Sequence, residues 1–334
     1  MIEFNLRNIR SWAIMGINPS IWSIGFPEII NNETTALLTA DLARYSGLIR
    51  TAQKYPEIFY NFGIAEQNMV GIAAGMALCG HDVYMTTYAP FITYRCLDQF
   101  RHFLGNMNLN IKAIGSAAGL SAGFSGNALL AISDIAAVRS IPNLTILSPS
   151  DCTEAIKMML ALKSYNKPVY MRFCGTTNIP IVYRQDYEFE IGKAVCMQDG
   201  ERIAIVATGT NMVYNALEVS NKIAEKYKFR PMVVNIHTIK PLDTRILDEM
   251  FKRFEIIYTI EEHNIIGGLG SAIDEYKSNK QATCRIINLG IKDTLLKLGN
   301  RDFMLDEAGL SVDKIFSIIE QSFLEQNKND RKIF

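Results

Sequence analysis

The chain has 334 residues, 49% of them hydrophobic and 20% charged, with 34 basic side chains balancing 34 acidic ones. This length suffices for two domains with substantial cores, and the composition excludes a disordered polymer. A formal charge of zero leaves no electrostatic footprint for nucleic acid or an anionic membrane.

The first thirty residues read as helices, with Pro19 placed for a helix start and Trp12, Ile14, Trp22 and Ile24 as apolar faces available to a partner. A regular alternation follows. Strands are predicted at TALLTA (35–40), in the run ending at Ile64, at DVYMTT and at IKAIGS, separated by helices near 47–54, from Ala65 and from Ile92. Then come a Gly/Ser-rich loop, a helix through Arg139, strand LTIL, a helix capped by SPSD at 148–151, and strand PVYMR. Such alternation predicts an α/β fold, a parallel sheet with helices on both faces. From Cys174 to about Gly192 the pattern lapses into a linker, and a second, smaller α/β alternation runs through RIAIVAT, PMVVNI, IIYTI and CRIINL. The closing EQNKNDRKIF is polar and reads as frayed. The expected organisation is an arm (1–30), a first domain (31–175), a linker (176–192), a second domain (193–325) and a tail (326–334).

Six cysteines lie far apart with no C-x-x-C pair, and four histidines are too few and scattered for a zinc site. Reduced, mostly buried thiols are expected, and no metal ligand set is assigned. The N-terminus lacks the continuous apolar core of a signal peptide, and the uncharged stretch 113–133 is too rich in Gly, Ser and Asn for a membrane span. A cytoplasmic protein is the expectation.

The most informative stretch is NFGIAEQNMVGIAAGM, residues 61–76. It reads as a buried strand ending in Phe62-Gly63-Ile64, followed by an Ala/Gly-rich helix whose first turn carries Glu66. Gly71, Ala73, Ala74 and Gly75 leave one flank almost bare, which suits a tight interface. On spacing alone, an acid in a first helical turn complements the positive end of the dipole. The aromatics Tyr88, Phe91 and Tyr94, three residues apart, have a spacing that by itself is usually core packing. Gly115, Gly119, Gly123 and Gly126 form a loop whose glycines permit close backbone approach to a ligand. The run Gly267-Gly268-Leu269-Gly270 is a poor match to a dinucleotide fingerprint, because its third glycine is missing.

The 61–76 stretch closely resembles the G-I-x-E-x-x-M-x-x-x-A-x-G-x-A segment of transketolases, deoxyxylulose phosphate synthases and related thiamine-diphosphate enzymes. The resemblance continues in family order through TTYAPFITYRCLDQFRH, GSAAGLSAGFSGN, IPNLTILSPSDCTEA, HTIKPLD and IEEHNIIGGLGSAI. It implies a pyrimidine-binding domain followed by a transketolase C-terminal domain. It also implies that Glu66 is the acid that hydrogen-bonds the aminopyrimidine ring of thiamine diphosphate. An apolar surround from Phe62, Ile64 and Met69 would raise the pKa of that acid. Tyr88 and Phe91, with Tyr94 beside them, match the stacking aromatics. The resemblance also implies Ile64, next to the acid, as a cofactor-binding residue, and Asp41 matches a family acid near the cofactor at the subunit interface, although a helix cap is its plain alternative.

Family members grip the diphosphate and Mg2+ through a G-D-G motif followed by Asn. Here the nearest stretch is Gln198-Asp199-Gly200, a turn. The resemblance therefore implies a partner subunit that carries the diphosphate-binding domain, a homodimer of this chain, and a heterotetramer overall. Where the family has Asp and His for substrate hydroxyls, this chain has Ser125 and Leu129, which favours a deoxy or branched sugar substrate. Arg172 matches a substrate-phosphate position, with a surface ion pair as its alternative. The expected activity is transfer of a two-carbon ketol unit between sugars or sugar phosphates. Two other readings stay open: the beta chain of a 2-oxo acid dehydrogenase, and a non-catalytic assembly subunit. The second domain, with His263, is expected to support the dimer; His102 and His81 are expected to be structural.

Overall fold

A computed structural model describes residues 2–175 and 177–330, with side chains through Phe323. Apolar, often β-branched runs form two sheets. The first contains β1 (Thr35–Thr39), β2 (Phe59–Asn61), β3 (Asp82–Tyr88), β4 (Ile111–Ser116), β5 (Thr145–Leu147) and β6 (Val169–Arg172). The second contains β7 (Val195–Gln198), β8 (Ile203–Thr208), β9 (Met232–Asn235), β11 (Ile256–Asn264) and β12 (Arg285–Ile291). Between β9 and β11 in the chain lies β10 (Thr238–Lys240), which leaves its neighbours to pair antiparallel with β5. The orders are β10-β5-β6-β4-β3-β1-β2 and β12-β11-β8-β9-β7. All pairs are parallel except β10 with β5 and β7 with β9. Each predicted parallel sheet thus carries one antiparallel edge strand that the sequence did not announce.

Strand residues alternate between two cores, as a period of two requires. Leu37, Tyr84, Ile114 and Met171 face the arm and the helix Cys152–Leu162, whereas Leu38, Met85, Ala113 and Tyr170 face the helices after β2, β3 and β4. In the second sheet Ile203, Ile205 and Ala207 point one way, and Ala204 and Val206 the other.

The arm belongs to this chain's own core. Its first helix, Leu6–Met15, is capped by the Asn5 side chain, and Trp12, Ile17, Ile21, Trp22 and Phe26 are buried against the helix Cys152–Leu162. Burying each of these large side chains stabilises the fold by roughly 1.5–3 kcal/mol, more than a free arm could forgo. Of the faces predicted to await a partner, only Ile14 remains largely exposed.

The linker is also docked. Asp151 caps the helix Cys152–Leu162 by accepting from the Glu154 N–H at 2.9 Å, and its other oxygen accepts from the N–H groups of Val182 (2.9 Å) and Tyr183 (2.8 Å). Burial pushes its carboxyl up to about 7. Thr176, the first residue of the predicted linker, lies outside the described residues. The polar stretch expected to fray continues as helix Val312–Asp330, and residues 331–334 lie outside the description. All six cysteines are free, four of them buried. Among the described residues no helix is long and apolar enough to cross a membrane.

Candidate active site

In the first sheet the chain runs from β1 out to edge strand β2 and returns on the other side of β1 as β3. Strand order therefore reverses at β1, and crevices at the carboxyl ends of strands beside such a point are where open α/β sheets bind ligands. Asp41 follows β1, Glu66 follows β2, Tyr88 ends β3 and the glycine loop follows β4. Topology thus gathers four stretches that are far apart in sequence.

Glu66 opens the helix Glu66–Leu78 and is 3% exposed. Its surroundings are only partly the apolar pocket predicted. Met69 is buried beneath it, but β2 ends at Asn61, Phe62 is half-buried and Ile64 is 78% exposed. The expected buried strand through Ile64 fails because β2 is an edge strand paired only through Leu37–Thr39. Ile64 consequently faces outward from the turn rather than lining a pocket. The remaining side of Glu66 is occupied by Arg95, whose Nη1 donates to Oε1 at 2.6 Å. The same guanidinium lies 4.3 Å from the centre of the Phe91 ring. Phe91 in turn stacks on Tyr88, with ring centres 6.0 Å apart at 21°.

The predicted helix start shifts to Ala89, with Pro90 in its first turn and Tyr88 as N-cap, so Tyr88 and Phe91 straddle the strand-to-helix corner. Tyr94 is turned elsewhere: its hydroxyl accepts from the Ser133 N–H and bonds the Ser133 Oγ, both at 2.9 Å. Asp41 is no helix cap. It sits exposed at φ 57°, and its N–H donates to Asn61 Oδ1 at 2.9 Å. That oxygen also accepts from Gly63 N–H at 3.1 Å, so Asn61 ties the ends of β1 and β2 together at the mouth of the site.

Ser125 is exposed and Leu129 half-buried on two short 3-10 turns, beside Phe124, which is 81% exposed. Arg172 departs from both of its readings. It is neither on the surface nor open to a substrate phosphate: at 1% exposure its Nε donates to Asp134 at 2.7 Å, and its Nη2 reaches the carbonyls of Ala131 and Glu262. Tyr170 donates to the same Asp134 oxygen at 2.6 Å. A guanidinium so enclosed fixes structure.

The second domain does more than stand behind the first. Glu262, at the end of β11, accepts from the Leu120 N–H at 2.8 Å and pairs with Arg301, which also donates to Asn211 Oδ1. Gly119 has φ 61°, and a Cβ there would lie 2.5 Å from Glu262 Oε1, so the glycine is required by the carboxylate beside it. Gly123 likewise packs against the Gly299 carbonyl and Met304. His263 accepts from the Ala136 N–H at 3.3 Å and donates from Nδ1 to the Asn264 carbonyl at 2.7 Å. Burial lowers its pKa to about 4 and keeps it neutral. The Gly267-to-Gly270 run cradles no phosphate: Glu261 accepts from the Leu269 and Gly270 N–H groups, filling that helix N-terminus itself.

Among the described residues no group of three or more His, Cys, Asp and Glu side chains could hold a metal. Arg95, Asn61, Glu262 and Arg301 were not singled out from sequence. Only Arg95 left a signal there, a cation four residues after an aromatic at a helix start.

Residues 29–176 match the family description "Transketolase, pyrimidine binding domain", and residues 192–315 match "Transketolase, C-terminal domain". A Methanocaldococcus jannaschii protein assigned as a transketolase C-terminal section is 33% identical over 285 residues, covering 85% of this chain and 88% of that one. The 1-deoxy-D-xylulose-5-phosphate synthase of Acinetobacter baumannii is 30% identical over 90% of this chain, which spans 48% of that enzyme. Among solved structures, an inactive beta4 tetramer of a split-gene transketolase has a TM-score of 0.78 at 28% identity, covering 96% of this chain and 98% of that one. Campylobacter jejuni transketolase shares the fold, with a TM-score of 0.75 at 17% identity over 95% of this chain and 49% of its own. With its pyrimidine-binding domain followed by its C-terminal domain, the chain belongs to the transketolase family.

Proposed function

We propose that this chain is one subunit of a two-chain, thiamine-diphosphate-dependent transketolase that transfers a two-carbon ketol unit between sugars or sugar phosphates. The observation that carries the reading is Glu66: a carboxylate 3% exposed, at the carboxyl end of the sheet beside its reversal point, bonded to an Arg95 that lies over Phe91, which stacks on Tyr88. Dipole complementarity alone does not require an acid at a helix start to be buried, and this one is linked through Arg95 to the face of Phe91.

These residues fit the aminopyrimidine half of the cofactor. A flat cation, the Arg95 guanidinium, already rests on Phe91 while bonding Glu66, so the seat accepts a planar nitrogen-bearing group. Bound there, thiamine diphosphate would supply the carbon nucleophile that carries the ketol unit. Glu66 would hold the proton shared with a ring nitrogen, and Phe91 would orient the ring by its face. Tyr88 would buttress Phe91, and Asn61 would fix the loop at Asp41 and Gly63. No G-D-G occurs in the sequence, so Mg2+ and the diphosphate fall to a partner subunit.

The likeness to a split-gene beta chain described as inactive as a beta4 tetramer supports the same division of labour. Exposed Phe124 with Leu129 and Ser125 gives the substrate loop an apolar face where the family has hydroxyl-binding groups, which favours a substrate lacking that hydroxyl.

The test is reconstitution. This chain, mixed with a chain of the G-D-G type, thiamine diphosphate and Mg2+, is expected to transfer ketol units, and either chain alone is not. Glu66→Gln should lower the activity of the mixture by about 10²–10⁴-fold, and normal turnover in that variant would refute the assignment.

A further inference from the structure

Arg95 has a position that the family reading leaves without a role. Its guanidinium lies over the Phe91 ring, 4.3 Å from its centre, and bonds Glu66 at 2.6 Å, while its own carbonyl accepts from Gln67 Nε2 at 2.8 Å. A group with a flat face and a nitrogen-borne hydrogen thus sits between the aromatic and the acid.

We propose that Arg95 is a stand-in: in the subunit without cofactor its guanidinium occupies the seat of the aminopyrimidine ring, and it swings out when the ring enters. The inference rests on the reading of Glu66 and Phe91 as the pyrimidine site. Steric exclusion is the first argument. A ring stacked on the same face of Phe91 and hydrogen-bonded to Glu66 would need the volume that the guanidinium fills, so the two occupants alternate.

The second argument is the need for an occupant. Glu66 is 3% exposed, and a buried carboxylate without a partner is costly. Arg95 satisfies it until a ring nitrogen able to share a proton with it arrives. Thirdly, departure is easy. The Arg95 side chain is 44% exposed and long, so the pair can open into water without unpacking a core, which the enclosed Arg172 cannot do. Cofactor entry therefore exchanges one hydrogen-bonded planar nitrogen group for another at Glu66. The net gain must come from contacts elsewhere, which ties occupancy to the subunit that holds the diphosphate.

Thiamine without phosphates is the probe, because it addresses the pyrimidine seat of the isolated chain without the partner's phosphate contacts. Calorimetry should show Arg95→Ala binding thiamine about tenfold tighter than the unaltered chain, the expected effect of removing a competing ion pair of modest strength. The gain should vanish in Arg95→Ala/Glu66→Gln. If Arg95→Ala does not fold, Arg95→Lys serves: it keeps the charge on Glu66 but bares the Phe91 face, and it too should bind more tightly than the unaltered chain. Equal or weaker binding in the folded variant overturns the stand-in. Loss of turnover in Glu66→Gln of the two-chain enzyme would then show that the pyrimidine site survives and only Arg95's role has fallen. If Glu66→Gln retains turnover, both have fallen.

Discussion

Two carboxylate–guanidinium pairs in this chain are alike in geometry and opposite in setting. Glu66 meets Arg95 at 2.6 Å and Asp134 meets Arg172 at 2.7 Å. Both acids are buried, but the Arg95 side chain is 44% exposed and that of Arg172 only 1%. Arg172 bonds Asp134 and two carbonyls, and Tyr170 shares the acid. The Arg95 guanidinium bonds Glu66 and lies over the Phe91 ring. The difference separates an enclosed pair that joins elements of the two domains from a pair with one half-exposed member at the carboxyl end of the first sheet. A short salt bridge by itself tells little about function; what encloses it tells more.

Exchanging the two pairs' fates is the sharpest use of this contrast. Glu66→Gln should lower turnover of the proposed two-chain enzyme by about 10²–10⁴-fold, the usual worth of a positioned acid or base. The melting temperature should barely move, because the amide oxygen still accepts from Arg95. Arg172→Met should behave in the opposite sense and destabilise the chain by roughly 3–5 kcal/mol, since Asp134 is left charged and enclosed. Denaturant titration of both variants checks this, and similar stabilities would erase the distinction.

A smaller effect is expected at the seam itself. Gly119→Ala combines a left-handed backbone with a Cβ 2.5 Å from Glu262, a change worth about 1–3 kcal/mol. Hydrogen exchange should accelerate at the Leu120 amide, which donates to that carboxylate. Unchanged exchange would detach the glycine loop from the second domain.

His263 gives a pH test of the enclosed region. Its folded pKa, about 4, lies below its ordinary 6.5. Above 6.5 neither state binds the proton and the contribution is fully present. As pH falls from 6.5 toward 4 the unfolded chain takes up the proton first, so stability is lost over that window. His263→Gln should flatten this part of the stability–pH curve, and an NMR titration midpoint near 6.5 would show that the ring is not enclosed. The least effect is expected from Lys280→Ala, which removes an exposed pair with Asp248 and should leave the melting temperature unchanged.

Much of the scaffold was legible because its strands carry apolar runs of alternating direction. Leu37 and Leu38, or Tyr84 and Met85, feed opposite cores through nothing more than a period of two. Glu66 was legible as an acid at a strand-to-helix junction, and the corner at Tyr88 and Phe91 was marked by Pro90. Other features depend on contacts between residues far apart in sequence, which local pattern does not encode. Thr238–Lys240 looks like a piece of the second domain, yet it completes the edge of the first sheet. Ile64 reads as the end of a buried strand, but an edge strand pairs on one side only and stops at Asn61. Arg172 reads as a substrate ligand until Asp134, 38 residues earlier, is seen to hold it. Arg95 was hidden because its meaning lies in the space between Glu66 and Phe91, which no spacing along the chain describes.

The proposed division of labour puts an acid and an aromatic face on this chain and the phosphate grip on a partner. Calorimetric binding of thiamine diphosphate with Mg2+ tests it most directly, on this chain alone and on its mixture with a G-D-G-bearing chain. Firm, saturable binding only in the mixture is the predicted result, and firm binding to this chain by itself would contradict it.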